Sequence, residues 1–293
     1  MSINFPLLLV IAVAVCGALA LFDLIFLAPR RRAAIDTYHQ QVSAPDATVV
    51  ERLNKEPLLV EYGKSFFPVL AIVLVLRSFL IEPFQIPSGS MKPTLEVGDF
   101  ILVNKFAYGI RLPVLDSKVI EVGDPQRGDV MVFRYPSDPN INYIKRVIGV
   151  PGDHVAVEGK QVYINGEAVP KKFLYERFDD DFDDIPAFGA YPIARFYTEK
   201  LGEIEHQIRE RDVVRGMYRR EWVVPQRHYF MMGDNRDNSK DSRYWEDPEG
   251  TPPEFFGMVP DQNIVGKAFA VWMSWPSPKF SHLPNFSRVG LIH

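Results

Sequence analysis

The stretch Phe66-Phe67-Pro68-Val69-Leu70-Ala71-Ile72-Val73-Leu74-Val75-Leu76-Arg77-Ser78-Phe79-Leu80, followed within a few residues by Pro87-Ser88-Gly89-Ser90-Met91-Lys92-Pro93-Thr94, decides the fold. The first part is a run of apolar side chains suited to a bilayer. The second is a turn sequence in which Ser90 is framed by Gly and Pro. Beyond it the pattern changes from continuous apolar to alternating, so a membrane segment hands over to a β domain at a serine. A serine so placed suggests a nucleophile that works beside lipid.

A second apolar segment precedes this one. It runs from about Phe5 to Ala28, interrupted only by Asp23, and ends in Arg30-Arg31-Arg32. Its length suffices for a hydrocarbon core of roughly 30 Å. Ala18-Leu19-Ala20 has the small-x-small form of a cleavage site, but Met1 to Phe5 holds no Lys or Arg and the apolar run continues past Ala20. A retained anchor is the reading these features favour over a removed leader. The expected spans are residues 1–29 and 63–82, the second with Arg77 snorkelling to the headgroups. Between them, residues 30–62 form a loop. The stretch from Arg30 to Lys64 carries Arg30, Arg31, Arg32, Arg52, Lys55 and Lys64, which makes it cytoplasmic by the positive-inside rule. Everything after Ile81 then lies on the outer side.

Composition narrows the class. The 293 residues are 47% hydrophobic and 24% charged, as in a folded protein. A net charge of -4 gives no general case for nucleic-acid binding. Cys16 is the one cysteine, so an intrachain disulfide and a cysteine-liganded zinc are both excluded. No sequence feature implies a metal or nucleotide cofactor.

Strands are expected at Asp99 to Phe106, Asp129 to Tyr135, Asn142 to Val150, Glu221 to Val224, Tyr229 to Met232 and Ile264 to Trp275. His154 to Val157, Gln161 to Ile164 and Glu167 to Val169 read as a meander, turning at Gly159-Lys160 and Asn165-Gly166. The segment Lys171 to Gln226 holds the acidic run Asp179 to Asp184, read as a solvated loop because its spacing does not fit an EF-hand.

A serine hydroxyl needs a base. The histidines are His39, His154, His206, His228, His282 and His293; none lies in a recognisable triad motif, and there is no Gly-x-Ser-x-Gly elbow. A lysine can serve if burial keeps it neutral. Lys145, in Tyr143-Ile144-Lys145-Arg146-Val147-Ile148, sits in one of the most apolar runs outside the spans. Period two allows Lys145 inward and Arg146 outward.

These segments together resemble bacterial type I signal peptidases, the leader peptidases. Phe84 to Leu95 is similar to the nucleophile box of that family. Gly98 to Val103, Arg127 to Phe133, and Tyr143 to Arg146 with Gly149 to Asp153 are similar to the boxes that follow. Gly233-Asp234-Asn235-Arg236-Asp237-Asn238-Ser239-Lys240-Asp241-Ser242-Arg243-Tyr244-Trp245 is similar to the last.

The resemblance implies a membrane-bound Ser/Lys serine endopeptidase that cuts signal peptides from exported preproteins after small-x-small sites. It implies Ser90 as nucleophile, Lys145 as general base, and the Ser90 N–H with the Ser88 hydroxyl as oxyanion hole. Ser239 would orient the Lys145 amine, with Asp241 and Arg243 as a supporting ion pair. Ile86, Met91, Leu95, Tyr143 and Ile144 would line the pocket next to the cut; Phe84, Ile101 and Val132 would line a second one, with Pro87 beside them. The implied fold is a transmembrane helical hairpin, then a mainly antiparallel β catalytic core (residues 83–151 and 228–293) with a smaller β subdomain inserted at 152–227. The implied setting is the bacterial inner membrane, with the catalytic domain on the outer, periplasmic face. The implied partners are signal peptides, the phospholipid bilayer and the export translocon, and the implied cofactor list is empty. Trp272, Trp275 and Phe280 could rest on the bilayer or pack in the core. Lys92 stands where an apolar residue would be unremarkable.

Overall fold

A computed structural model describes residues 5–42, 45–76, 81–111, 118–179, 193–212, 218–276 and 283–292. Arg77, Phe280, His282, His293 and Asp180 to Asp184 lie outside them. The chain divides into two compact units, a helical one up to residue 80 and a β unit formed by most of the remainder.

In the helical unit an α-helix Phe5–Phe22 runs through a π-helical turn, Asp23–Leu27, into Ala28–Gln41. Short helix Ala47–Asn54 and helix Leu58–Val75 follow. The first and last are long and apolar enough to cross a membrane by length and composition. They pack closely where small residues meet large ones: a Cβ on Gly17 would come 2.9 Å from the Phe67 ring, and one on Gly63 would come 3.1 Å from Leu19. Asp23, the polar interruption, is buried and paired with Arg31 at 2.7 Å and Lys64 at 3.1 Å, so the carboxylate is compensated. Within the connecting segment 30–62 the described residues are largely helical. The second helix begins before Gly63, and Ile81 and Glu82 belong to strand Ile81–Gln85, not to a span.

The β unit is built on an antiparallel sheet. Its strand order is Ile81–Gln85, Asp99–Asn104, Ile264–Ser274, Val130–Tyr135, Asp138–Gly149, His228–Met232, Met258–Pro260, with Gly290–Leu291 added to Ile264–Ser274. Alternation sets the faces: in Asp99–Asn104 every second residue is buried. The stretch 152–227 contributes two further sheets. Arg219–Val223, His154–Glu158, Gln161–Ile164 and Glu167–Ala168 form one. Its tight turn uses Asn165 (φ 53°) and Gly166 (φ 85°), the positive-φ pair that a two-residue hairpin loop requires. Lys171–Phe178, Ile193–Leu201 and Ile204–Arg211 form the other.

The stretch Asn142 to Val150 is part of a longer strand that starts at Asp138. From Ile144 to Gly149 every residue is buried, so both faces of the sheet are covered there. Arg146 does point away from Lys145, but into protein: it is 0% exposed. Asp179 is buried too, held by Arg209 and Arg211, so the acidic run does not begin as a solvated loop.

Candidate active site

The turn that presents Ser90 is fixed by what lies beneath it. Ser88 is extended, and Gly89–Met91 forms a single 3₁₀ turn. The Lys92 N–H donates to the Gly89 carbonyl at 3.1 Å and the Leu95 N–H to that of Met91 at 3.0 Å. Met91 and Leu95, both 0% exposed, sink into an apolar cluster with Ile86, Ile101, Val132 and Ile144. Burial of such side chains stabilises by about 1.5–3 kcal/mol each, and here it nails down the turn on both sides of the serine. Phe84 packs against the same cluster.

Lys145 comes from the strand Asp138–Gly149, paired with Met131 of the next strand. Its Nζ lies 2.6 Å from Ser90 Oγ, a hydrogen bond between two buried groups 55 residues apart in sequence. Burial pulls the Lys145 pKa down from 10.5 to about 8; the Asp241 and Asp234 charges oppose the shift and Arg243 adds to it. About one lysine in eleven is then neutral at pH 7, against fewer than one in a thousand for an exposed side chain. The Ser88 hydroxyl stands 3.5 Å from Ser90 Oγ.

The segment Gly233 to Arg243 closes the site from the other side. The Asn235 N–H donates to the Ser90 carbonyl at 3.1 Å, and its Nδ2 donates to the Gly89 carbonyl at 2.9 Å. Gly233 passes so near that an added Cβ would lie 2.4 Å from the Ser90 carbonyl oxygen and 2.3 Å from Ser239 Oγ; only glycine fits. Asp241 accepts from the Gly233 N–H at 2.9 Å and from two nitrogens of Arg243 at 2.8 Å. Burial would raise its pKa, but the Arg243 guanidinium outweighs that and holds the carboxyl below its usual range.

Arg146 makes the corresponding pair with Asp234, Nε at 2.9 Å and Nη2 at 2.7 Å, and also donates to the Gly128 carbonyl at 2.7 Å. Thr94 donates to the same carboxylate at 2.5 Å. The residue after the lysine is thereby tied to the residue before Asn235.

The structure thus brings together Ser90, Lys145, Ser88, Asp241 and Arg243. Ser239 Oγ is buried beside Asp241 but, among the described residues, makes no hydrogen bond of good geometry, and none to Lys145. Of the pocket candidates, Tyr143 packs in a separate aromatic cluster, stacked on Tyr135 at 4.6 Å, with its ring 5.4 Å from Lys145 Nζ. Pro87 is exposed. Trp272 is exposed, edge-on to Phe100, and Trp275 is half-buried. Lys92 pairs with Glu96 at 3.1 Å, so its charge is met four residues on. Sequence reasoning missed the structural work of Asp234, Asn235, Arg146 and Thr94.

The sequence model of a family described as signal peptidase, peptidase S26, matches residues 59–275. A signal peptidase I of Pseudomonas fluorescens is 70% identical over 298 residues, covering 100% of both chains. One of Pseudomonas aeruginosa is 69% identical over the same length and coverage. One of Haemophilus influenzae is 35% identical, covering 94% of this chain and 89% of that one.

Proposed function

The chain belongs to the signal peptidase family, peptidase S26, and is a peptidase that removes signal peptides; from that premise we propose that Ser90 is its nucleophile and neutral Lys145 its general base. The observation that carries this reading is the 2.6 Å contact between a buried amine and a buried hydroxyl.

Lys145 Nζ takes the hydroxyl proton as Ser90 Oγ attacks the scissile carbonyl carbon, and the carbonyl oxygen becomes an oxyanion. The Ser90 N–H and the Ser88 hydroxyl stabilise that charge; loss of one such donor typically costs about 10²–10³ in rate. The Lys145 ammonium then gives its proton to the leaving amine, which departs with the mature chain. A water molecule, deprotonated by the same amine, hydrolyses the acyl-enzyme and releases the signal peptide. Asp241 and Arg243 form a neutral pair that fixes the loop bearing Gly233 without adding net charge beside the amine. Ser239, whose hydroxyl is buried beside Asp241, is assigned the orienting of the amine by its place in the last sequence box and not by a contact with Lys145.

The specificity for small-x-small sequences rests on the apolar floor beneath Ser90. Ile86, Met91, Leu95 and Ile144, which pack together beneath Ser90, would line a shallow pocket for a methyl group beside the cut, with Tyr143; Phe84, Ile101 and Val132 would line the second pocket, and Pro87 is a further substrate contact. Larger side chains would clash with this packed floor. The two apolar helices anchor the chain in the bacterial inner membrane. The basic content of the Arg30 to Lys64 segment puts the catalytic domain on the periplasmic face, near the export translocon.

Cleavage of a preprotein with an Ala-x-Ala site in detergent tests this reading. Wild type is expected to cut after the second Ala, while Ser90→Ala and Lys145→Met are folded and inactive. Full activity in Lys145→Met would place the base elsewhere.

A further inference from the structure

Asn235 holds both carbonyls of the nucleophile turn, and inside its own loop it is met by the Asn238 N–H, which donates to the Asn235 carbonyl at 3.0 Å. The segment around it is anchored by the inserted β sheets. Asp234 O accepts from the Arg209 N–H at 2.9 Å, and the Arg236 N–H donates to Arg209 O at 2.9 Å. Residues 234–236 are thereby added, in parallel, to the free edge of strand Ile204–Arg211. The Arg236 side chain is buried and its guanidinium forms a two-point pair with Glu199, Nη1 to Oε1 at 2.7 Å and Nη2 to Oε2. Glu199 and His206 are direct cross-strand partners in the insert. The His206 ring has no exposed surface; its Nε2 lies 3.3 Å from Glu199 and 3.8 Å from Asp234. Farther out, Asp237 accepts from Lys160 Nζ and from the Arg211 N–H, both at 2.8 Å.

A continuous buried line therefore runs Arg236–Glu199–His206–Asp234–Arg146, and Arg146 is bonded in sequence to Lys145. Its charges cancel when the imidazole is neutral, and burial together with the Arg146 charge keeps His206 neutral despite both carboxylates. Removing the Glu199 charge would leave the Arg236 guanidinium buried and unpaired, and a group in that state moves toward water. It would take Asn235, and with it the two carbonyls around Ser90.

We propose that Glu199 and His206 of the inserted sheet are positioning residues for the reaction: they fix the Asp234-Asn235-Arg236 segment, which sets the Ser90–Lys145 distance. The proposal rests on the Ser90–Lys145 reading above and assigns the insert a part in catalysis, not only in folding. Neither residue is a member of the apolar cluster proposed to receive the signal peptide. Disturbing them should therefore lower kcat and leave KM nearly alone.

The test compares three full-length variants in detergent, with the Ala-x-Ala preprotein as substrate: Glu199→Gln, the double variant Glu199→Leu with Arg236→Met, and His206→Leu. The double variant replaces an ion pair by apolar groups, which tends to preserve stability. Thermal unfolding, kcat, KM and the pH dependence of kcat/KM are read for each. The expected result is a kcat at least about tenfold down for the Glu199 variants and about threefold or more for His206→Leu, KM within about twofold, and a displaced acidic limb of the pH profile, because Asp234 acts electrostatically on Lys145. A double variant with wild-type unfolding temperature and kcat within about threefold of wild type would overturn the proposal. So would failure of all three variants to fold, which would make the cluster a folding element only. Ser90→Ala and Lys145→Met run alongside: activity in either would break the dyad reading, whatever the Glu199 variants do.

Discussion

Replacing Lys145 by Met should abolish cleavage and, at neutral pH, stabilise the fold. The fall of the Lys145 pKa from 10.5 to about 8 is a free energy. It converts to about 3 kcal/mol. Below pH 8 the amine is protonated in both the folded and the unfolded chain, and the folded state bears the whole cost of a buried ammonium. Between pH 8 and 10.5 the unfolded chain holds a proton that the folded one has lost, so stability rises with pH across this window. Above 10.5 both forms are neutral and the cost is gone. Methionine fills nearly the same space without a charge. It also gives up the hydrogen bond to Ser90 Oγ, a loss of about 1 kcal/mol. The net gain at pH 7 is then about 2 kcal/mol, or roughly 4–8 °C in unfolding temperature for a domain of this size. Tryptophan fluorescence of the full chain in detergent micelles, scanned in temperature from pH 7 to 10, checks this. The gap between variant and wild type is expected to close almost fully by pH 10. A gap that does not depend on pH, or a Met variant less stable than wild type at pH 7, would refute the claim that burial lowers the pKa of this amine.

The same value fixes the rate profile: kcat/KM should climb with pH through about 8 as Lys145 loses its proton and then level off, whereas a limb near the histidine value of about 6.5 would locate the base elsewhere. Gly233→Ala should lower kcat by about 10² or more, because its Cβ would collide with Ser90 O and Ser239 Oγ; near-normal kinetics would mean the loop can retreat without consequence. Arg146→Met leaves the Asp234 carboxylate buried without its partner and should cost about 3–5 kcal/mol, read as a lower unfolding temperature; Arg146→Lys should recover only part of it, since an ammonium cannot reproduce the two-point contact. Asn235→Asp sets a carboxylate oxygen against the Gly89 carbonyl. A loss of about 1–3 kcal/mol and a lower kcat are expected, and unchanged kcat would show that the turn does not need this clamp.

What could be read from the chain and what could not separate along a physical line. The apolar hairpin, the strand Asp99–Asn104, the Asn165-Gly166 turn and the serine followed by a lysine in an apolar run all announce themselves locally, through composition or a period of two. Arg146 shows where local reading stops: alternation states that it faces away from Lys145, but not whether that second face meets water or Asp234, 88 residues later. The second sheet of the insert went unread for a related reason. Strand Lys171–Phe178 is exposed along nearly its whole length, so no burial pattern imprints on it. In Ile193–Leu201 the alternation is interrupted by Glu199, a residue that ordinarily signals solvent. Here it is buried because an arginine 37 positions away reaches it. The one local clue was Leu201-Gly202-Glu203-Ile204, where Gly202 takes φ 63° to close a two-residue hairpin and sets Glu199 opposite His206. Had that turn been recognised, the register would have placed an acid and an imidazole on one face of a two-stranded ribbon, a costly arrangement unless something cationic covers it. Buried polar residues are thus the least legible part of the sequence and the part closest to the chemistry, because their meaning is held by partners that only the fold brings near.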